Sequence, residues 1–360
     1  MLAMVSMEGV CLLHGRSINP RLAEWIVQKK IEAHSLQTGN GIRHFIGGML
    51  QAARWIRAYP NAVFVIWAHH LDSNRWLQLA LALARRRYIV VEQLIPASRE
   101  PLSRSRLTVP IRRFVAGRAL VTVVNARSQV DHYRSLLSLP AAASVVAIAN
   151  SRDVNAIKRA GEWHRKDVRS LRRRLALPEA PIIICVARLA REKDQATLIE
   201  AVANIRFTGA PPVLVLVGEG PCRQSLEALA RKKIPGRWIL SGHQSDPVQW
   251  LAAADVFVLP SLSEGLPGAL VEAMATGLPC IATDIPGNRD LVVDGETGLL
   301  ISPGDVAGLA SAIQRLLGDR RLAARLTSQG HKLVARDYDE RKEGMAWRDL
   351  LVAHGLGDNA

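Results

Sequence analysis

Short apolar runs rich in β-branched residues recur along the chain, and amphipathic stretches separate them. In the first half they fall at 10–13, 32–36, 62–67, 89–93, 120–124 and 145–149, and in the second at 182–186, 213–217, 238–241, 256–259, 280–283 and 298–301. Most are apolar at successive rather than alternate positions, the pattern of a parallel strand covered on both faces. Helical periodicity fills many of the gaps, as at 74–87, 195–205, 223–231 and 303–317. Strand–helix alternation sustained this long predicts a doubly wound α/β fold, present in two copies. The boundary is expected in the basic segment 158–177, which ends at Leu177-Pro178-Glu179-Ala180-Pro181, giving domains 1–176 and 177–339.

Composition narrows the class. At 360 residues and 49% hydrophobic, the chain can bury two cores. The longest uncharged stretch, 135–151, is interrupted by Pro140, Ser144 and Asn150 and is too short to span a bilayer as a helix. No basic-then-apolar leader opens the sequence. Cys11, Cys185, Cys222 and Cys280 are scattered without a CxxC pair, as expected of reduced thiols in the cytosol.

Charge is uneven. Residues 1–178 hold 28 basic and 10 acidic side chains (+18), whereas 179–360 hold 19 and 22 (−3). Arg99, Arg104, Arg106, Arg112, Arg113 and Arg118 concentrate in one apolar-interspersed segment. A field of that sign favours phosphates, whether of nucleic acid, anionic lipid or a phosphorylated substrate; the plainer reading is a solvated arginine-rich face.

Candidate chemistry lies in 256–279. A buried strand ends at Leu259, a polar turn carries Glu264, and a helix starts near Pro267 and stops at Gly277 and Pro279. The turn Glu264-Gly265-Leu266-Pro267-Gly268 presents bare N–H groups at a helix start, an anion site with little side chain in the way. Glu272 follows about one turn inside the helix. The two carboxylates could bracket a polyhydroxylated ligand with its phosphates between them; equally, Glu264 is a helix-start charge and Glu272 a surface residue.

The E-x7-E formed by Glu264 and Glu272 resembles the signature of family 4 retaining glycosyltransferases, whose GT-B fold sets two Rossmann-like domains about a central cleft. Three other segments resemble the family in order: Val186-Ala-Arg-Leu-Ala-Arg-Glu-Lys-Asp, Leu216-Val-Gly-Glu-Gly-Pro, and Gly287 to Leu300. More loosely, Val146-Ala-Ile-Ala-Asn-Ser-Arg-Asp resembles the family's "v.vipNgvD". The likeness is specific from Ile182 to Leu317 and weak before Val121. It implies that Arg188, Lys193 and Glu264 are catalytic: the two cations grip the donor diphosphate, and Glu264 steadies charge at the anomeric carbon. Glu272 would hold the ribose. Backbone around Gly265, Leu266, Pro267, Gly268 and Ala269 would cradle phosphate. Gly218 and Gly220 would let their turn approach the donor, and Gly242, in Ser241-Gly-His-Gln, would line the base pocket, with His243 as readily an exposed loop residue.

The resemblance further implies hexose transfer from a UDP- or GDP-sugar to a glycan or lipid-linked acceptor, as in polysaccharide biosynthesis. Configuration is retained by front-face substitution, without metal or other cofactor. The acceptor would bind the N-terminal domain, with the last helix, in 340–360, packing back on it. The expected location is the cytoplasm, peripheral at the anionic inner face of the membrane, with no nucleic-acid partner. Asp337-Tyr338-Asp339 has the form of a metal-binding DxD but reads as helix capping.

Two departures stand out. Where the family commonly places a histidine after an N-domain strand, this chain has Glu92 and Gln93; the nearby histidines, His69 and His70, end the preceding strand. Glu92 either takes a polar role or is a core-edge carboxylate facing an arginine. Secondly, the segment from Val10 resembles the family from its second strand onwards, which predicts that the first strand and its glycine loop are lacking. The alternative register makes 10–13 the first strand. These departures leave room for a degenerate or truncated transferase. A basic polyanion- or nucleic-acid-binding protein accounts for the charge but not for the segment 264–272, and four Tyr and five Phe offer few stacking surfaces.

Overall fold

In the computed structural model the described residues are 10–14, 32–35, 42–59, 61–68, 75–93, 95, 108–206 and 209–354. The chain divides into two compact units, one of residues 1–150 with 340–360 and the other of 151–339. Each is built on a six-stranded sheet in which every pairing is parallel. The chain belongs to the doubly wound α/β class, and the pair of units fits the GT-B fold.

The first sheet runs in the order β2-β1-β3-β4-β5-β6, with β1 at Val10–His14, β2 at Glu32–Ser35, β3 at Val63–Ala68, β4 at Tyr88–Glu92, β5 at Val121–Val124 and β6 at Val145–Ala147. Alternate residues of β3 and β4 feed two separate cores, because successive side chains leave opposite faces. Val63, Val65, Ile89 and Val91 pack with Trp347 and Leu351 of helix Glu340–Ala353. Phe64, Ile66, Tyr88 and Val90 pack with Trp55, Leu77 and Leu81 of helices Ile42–Ala58 and Arg75–Leu83.

A lost central strand would leave β1 without a partner towards β3. Instead, all five residues of β1 register directly with β3, Val10 on Val63 through to His14 on Trp67. The expected gap is therefore corrected: β1 lies between β2 and β3, as the first strand of the alternative register.

The second sheet runs β12-β11-β10-β7-β8-β9, with β7 at Ile182–Val186, β8 at Val213–Val217, β9 at Trp238–Gly242, β10 at Val256–Leu259, β11 at Cys280–Thr283 and β12 at Leu299–Ile301. All five residues of β8 are buried, as a central strand between two helical layers requires. Helices Gln195–Asn204 and Val306–Gly318 close one core through Leu198, Ile199, Val202, Leu309 and Ile313. Asp153, Asp246, Asp305 and Asp319 cap their helices by accepting backbone N–H bonds, which satisfies donors that a helix start leaves over.

The observed division lies at 150/151, not at 176/177. Helix Val154–Arg165, expected in the first domain, packs on helices Pro247–Ala252 and Gly268–Thr276 of the second unit. Gly161 lies so close to Thr276 that a methyl group there would meet its side chain. The basic segment 158–177 is thus a helical surface of the second unit rather than a linker: Leu171 is buried, and Arg165 and Arg172 turn in to the Thr276 carbonyl and to Asp255.

Candidate functional site

In the second sheet the chain leaves β7 towards β8 and β9, then returns to build β10, β11 and β12 on the other side. The carboxyl ends of β7 and β10 therefore meet at the point where strand order reverses, where open α/β sheets bind ligands. The loops leaving β7, β8, β10 and β11 all converge at that edge.

The first two are pressed together. Leu189 N–H donates to the Glu219 carbonyl at 2.9 Å, and Cys222 N–H to the Leu189 carbonyl at 2.9 Å. A Cβ on Gly218 or Gly220 would strike the carbonyl of Ala187 or Leu189, and Gly218 has φ +143°. These glycines are needed for the approach of one loop to the other. Gly242 ends β9 with φ +75°, and its carbonyl accepts the Gly218 N–H at 2.8 Å. His243 is exposed.

The loops after β7 and β10 are tied in turn. Leu262 N–H donates to the Glu192 carbonyl at 2.8 Å, and Lys193 Nζ lies 2.7 Å from Glu264 Oε1. The same oxygen accepts Ser261 Oγ–H at 2.7 Å. Behind them Thr283 donates its hydroxyl to the Ser261 carbonyl, and Asn288 Nδ2 donates to the Thr283 carbonyl at 2.9 Å. Gly287, φ +91°, lets the loop after β11 lie against the Gly265 carbonyl. Glu264 is thus held from three sides and only 8% exposed, with Lys193 at 19%. Such burial of a carboxylate is tolerable because a cation and a hydroxyl meet it. Below them the Cys185 thiol is pushed up to about 12 by burial, which Lys193 partly opposes and Glu264 reinforces; it is inert as a nucleophile.

Helix Gly268–Thr276 begins where this loop ends, with Pro267 extended before it and Gly277 left-handed after it at φ +86°. The N–H groups of Leu270 and Val271 donate to the Pro267 carbonyl at 3.1 and 3.2 Å, and those of Gly268 and Ala269 stand at the helix start. Glu272, one turn in, accepts Arg152 Nε–H at 2.8 Å and is 18% exposed. Arg188 stands exposed on the loop after β7; its carbonyl is held at 2.9 Å by the buried Gln195 side chain. One edge of the sheet therefore carries Arg188, Lys193, Glu264 and the start of the Glu272 helix.

Sequence reasoning did not single out Ser261, Thr283, Asn288, Gln195 or Arg152. Ser261 lies three residues from Glu264, so helix-start logic could have found it. Arg152 stands in the segment 146–153, where the family pattern has a small apolar residue. Thr283, Asn288 and Gln195 carry no local signal, because their partners arrive from other loops.

Of the first-unit candidates, His69 and His70 lie outside the described residues, as do Arg99, Arg104 and Arg106. Glu92 is 1% exposed at the end of β4, 3.9 Å from Arg112 Nη1. The half-buried Gln93 accepts Asn125 Nδ2 on its carbonyl at 3.3 Å. Asp337 ends helix Arg320–Asp337, and Asp339 is buried. Among the described residues no three acidic, imidazole or thiol groups are grouped as metal ligands, and no helix is long and apolar enough to cross a membrane.

Residues 180–319 match the family model "Glycosyl transferases group 1". The chain is 31% identical over 261 residues to the 2-deoxystreptamine glucosyltransferase of Streptomyces kanamyceticus, covering 69% of this chain and 67% of that one. It is 35% identical over 177 residues to the lipopolysaccharide core biosynthesis glycosyltransferase LpsE of Rhizobium meliloti, 49% of this chain and 51% of that one. It thus spans about half the length of LpsE. In fold it resembles the crystal structure of Anabaena HepE in complex with UDP-glucose, with TM-score 0.77, 20% identity, and coverage of 96% of this chain and 99% of that one. By the extent of these matches, the chain belongs to the group 1 glycosyltransferases.

Proposed function

We propose that this chain is a retaining, metal-independent glycosyltransferase of family 4 that moves a hexose from a UDP- or GDP-sugar to a glycan or lipid-linked acceptor. One observation carries the reading: the Lys193–Glu264 contact at 2.7 Å, beside the amino end of helix Gly268–Thr276 and on the loop that also bears Arg188. A departing nucleoside diphosphate accumulates negative charge. Two cations and the N–H groups at the helix start meet that charge without a metal ion. Glu264, held by Lys193 and Ser261, faces the sugar and offsets positive charge at its anomeric carbon; Glu272 takes the ribose hydroxyls. No protein nucleophile is required. The acceptor oxygen forms the new bond on the face the diphosphate leaves, and its proton passes to the departing phosphate oxygen. The names of LpsE and of HepE's complex with UDP-glucose support a sugar nucleotide and a glycan-type acceptor.

The first unit supplies the acceptor site and an anionic-surface contact in this reading. Arg85, Arg86 and Arg118 line a concavity of about 360 Å³ there, with Tyr88 and Ala82. Vesicle binding should rise with anionic lipid and fall with salt; indifference to both rejects the membrane location.

The decisive measurement pairs nucleotide binding with turnover. UDP or GDP should raise the melting temperature, by mass action on the folded state. Glu264→Ala, Lys193→Ala and Arg188→Ala should each lower hexose transfer about 100-fold or more while the fold persists. No stabilisation by any nucleoside diphosphate, with turnover unchanged in all three variants, would refute the donor site.

A further inference from the structure

We infer that Arg152 is a positioning residue: it fixes the Glu272 carboxylate so that one oxygen stays available to the ribose hydroxyls of a bound nucleoside diphosphate. This rests on the donor site proposed above. Arg152 lies two residues after the chain enters the second unit, and it is bridged to Asp339, where the chain leaves. Its N–H donates to the Tyr338 carbonyl at 3.2 Å. The next residue, Asp153, caps helix Val154–Arg165 by accepting Ala156 N–H at 2.8 Å. The backbone that carries the guanidinium is therefore held on both sides.

The guanidinium is fixed as well. Nη1 donates to the Ser151 carbonyl at 3.0 Å and Nε to Glu272 Oε1 at 2.8 Å. Nη2 fills the space that a side chain at Gly268 would need. A planar fork bonded to the Ser151 carbonyl and lying against Gly268 holds its carboxylate partner in one orientation, which a flexible ammonium would not. The bond uses Oε1 and leaves Oε2 to a ligand. Arg152 and Glu272 are 32% and 18% exposed, so a ligand can reach both.

Charge explains why such a holder is needed. Glu272 lies one turn from the helix start that would carry a diphosphate, where two anions repel. A cation at the amino end of a helix is itself disfavoured, yet between Glu272 and a diphosphate it offsets both.

The test compares a nucleoside diphosphate with its 2′,3′-dideoxy form by calorimetric titration, using UDP first, then GDP and ADP. In the unaltered protein, removing the hydroxyls should weaken binding about tenfold, the scale of hydrogen bonds to a carboxylate. Glu272→Ala should reduce that ratio to near one. Arg152→Ala should reduce it below about threefold, with Arg152→Lys recovering part. Gly268→Ala, which displaces the guanidinium without removing it, should also lower the ratio, so the outcome does not hang on one variant folding. An unchanged ratio in Arg152→Ala and Gly268→Ala, with the ratio lost in Glu272→Ala, overturns the role of Arg152 and leaves the donor site standing. Tighter nucleotide binding in Arg152→Ala overturns it too, since the arginine would then mask Glu272. No nucleoside diphosphate binding to the unaltered protein removes the donor reading and this inference together; an unchanged ratio in Glu272→Ala removes the ribose role of Glu272 and this inference with it.

Discussion

In the first unit Glu92 closes β4 with its carboxylate 3.9 Å from the Arg112 guanidinium, the two being 1% and 4% exposed. In the second, Glu264 sits on the turn after β10 with Lys193 at 2.7 Å, and exposure rises to 8% and 19%. The sheets are built alike, and both carboxylates lie at or just past the carboxyl end of a strand. Depth separates them. Glu92 lies among Tyr133, Thr122 and Arg112, where burial drives the Tyr133 hydroxyl far above its usual range and the Glu92 charge adds to that rise. That is the setting of a core-edge carboxylate. The Lys193–Glu264 pair instead keeps a path to solvent beside Arg188 and a helix start. The same two charges serve packing in one place and a ligand in the other, according to how much water reaches them.

That contrast can be broken by experiment. The largest stability effect belongs to the first pair: Arg112→Ala takes a cation 3.9 Å away from a carboxylate that is 1% exposed and should cost about 3–5 kcal/mol, read by urea denaturation. Replacing both Glu92 and Arg112 by methionine should restore most of that loss; failure to do so would mean that the carboxylate has a further task. For the second pair the effect should move from stability to chemistry. Lys193→Ala should lower turnover about 100-fold, near 2.7 kcal/mol, while the melting temperature changes little.

Smaller effects sharpen the same comparison. Gly218→Ala, at φ +143° and against the Ala187 carbonyl, should cost about 1–3 kcal/mol of stability and widen the gap between the loops after β7 and β8. Weakest of all should be a pH effect at His331. Its pKa is lowered, chiefly by burial, with Lys158 adding to the shift. The unfolded chain then takes up the proton first, so stability holds above the ordinary histidine value of 6.5 and declines as pH falls through the lower folded value. His331→Gln should flatten that decline in melting curves between pH 7 and 5; an unaltered slope would assign it to other groups.

Much of the architecture was legible because it depends on local pattern. Runs such as Val213–Val217 and Val256–Leu259 are apolar on both faces, and only a parallel strand between helical layers uses such a run at that length. Glu264, Gly265, Pro267 and Gly277 could likewise be placed on a turn and at helix ends, because proline and glycine punctuate by their own geometry. The boundary was misplaced for the opposite reason. A basic stretch such as 158–177 looks like a linker until Gly161 is seen against Thr276, more than a hundred residues away.

The chain by itself determined the order of strands and helices, the imbalance of charge and the turn that bears Glu264, since each follows from residues close in sequence. Tertiary structure alone decided that β1 lies directly beside β3, that Lys193 and Ser261 share one oxygen of Glu264, and that Arg152 reaches Glu272. Those meetings join residues separated by up to 120 positions. A side chain's chemistry is set by what surrounds it, and here the surroundings exist only once the sheet has assembled.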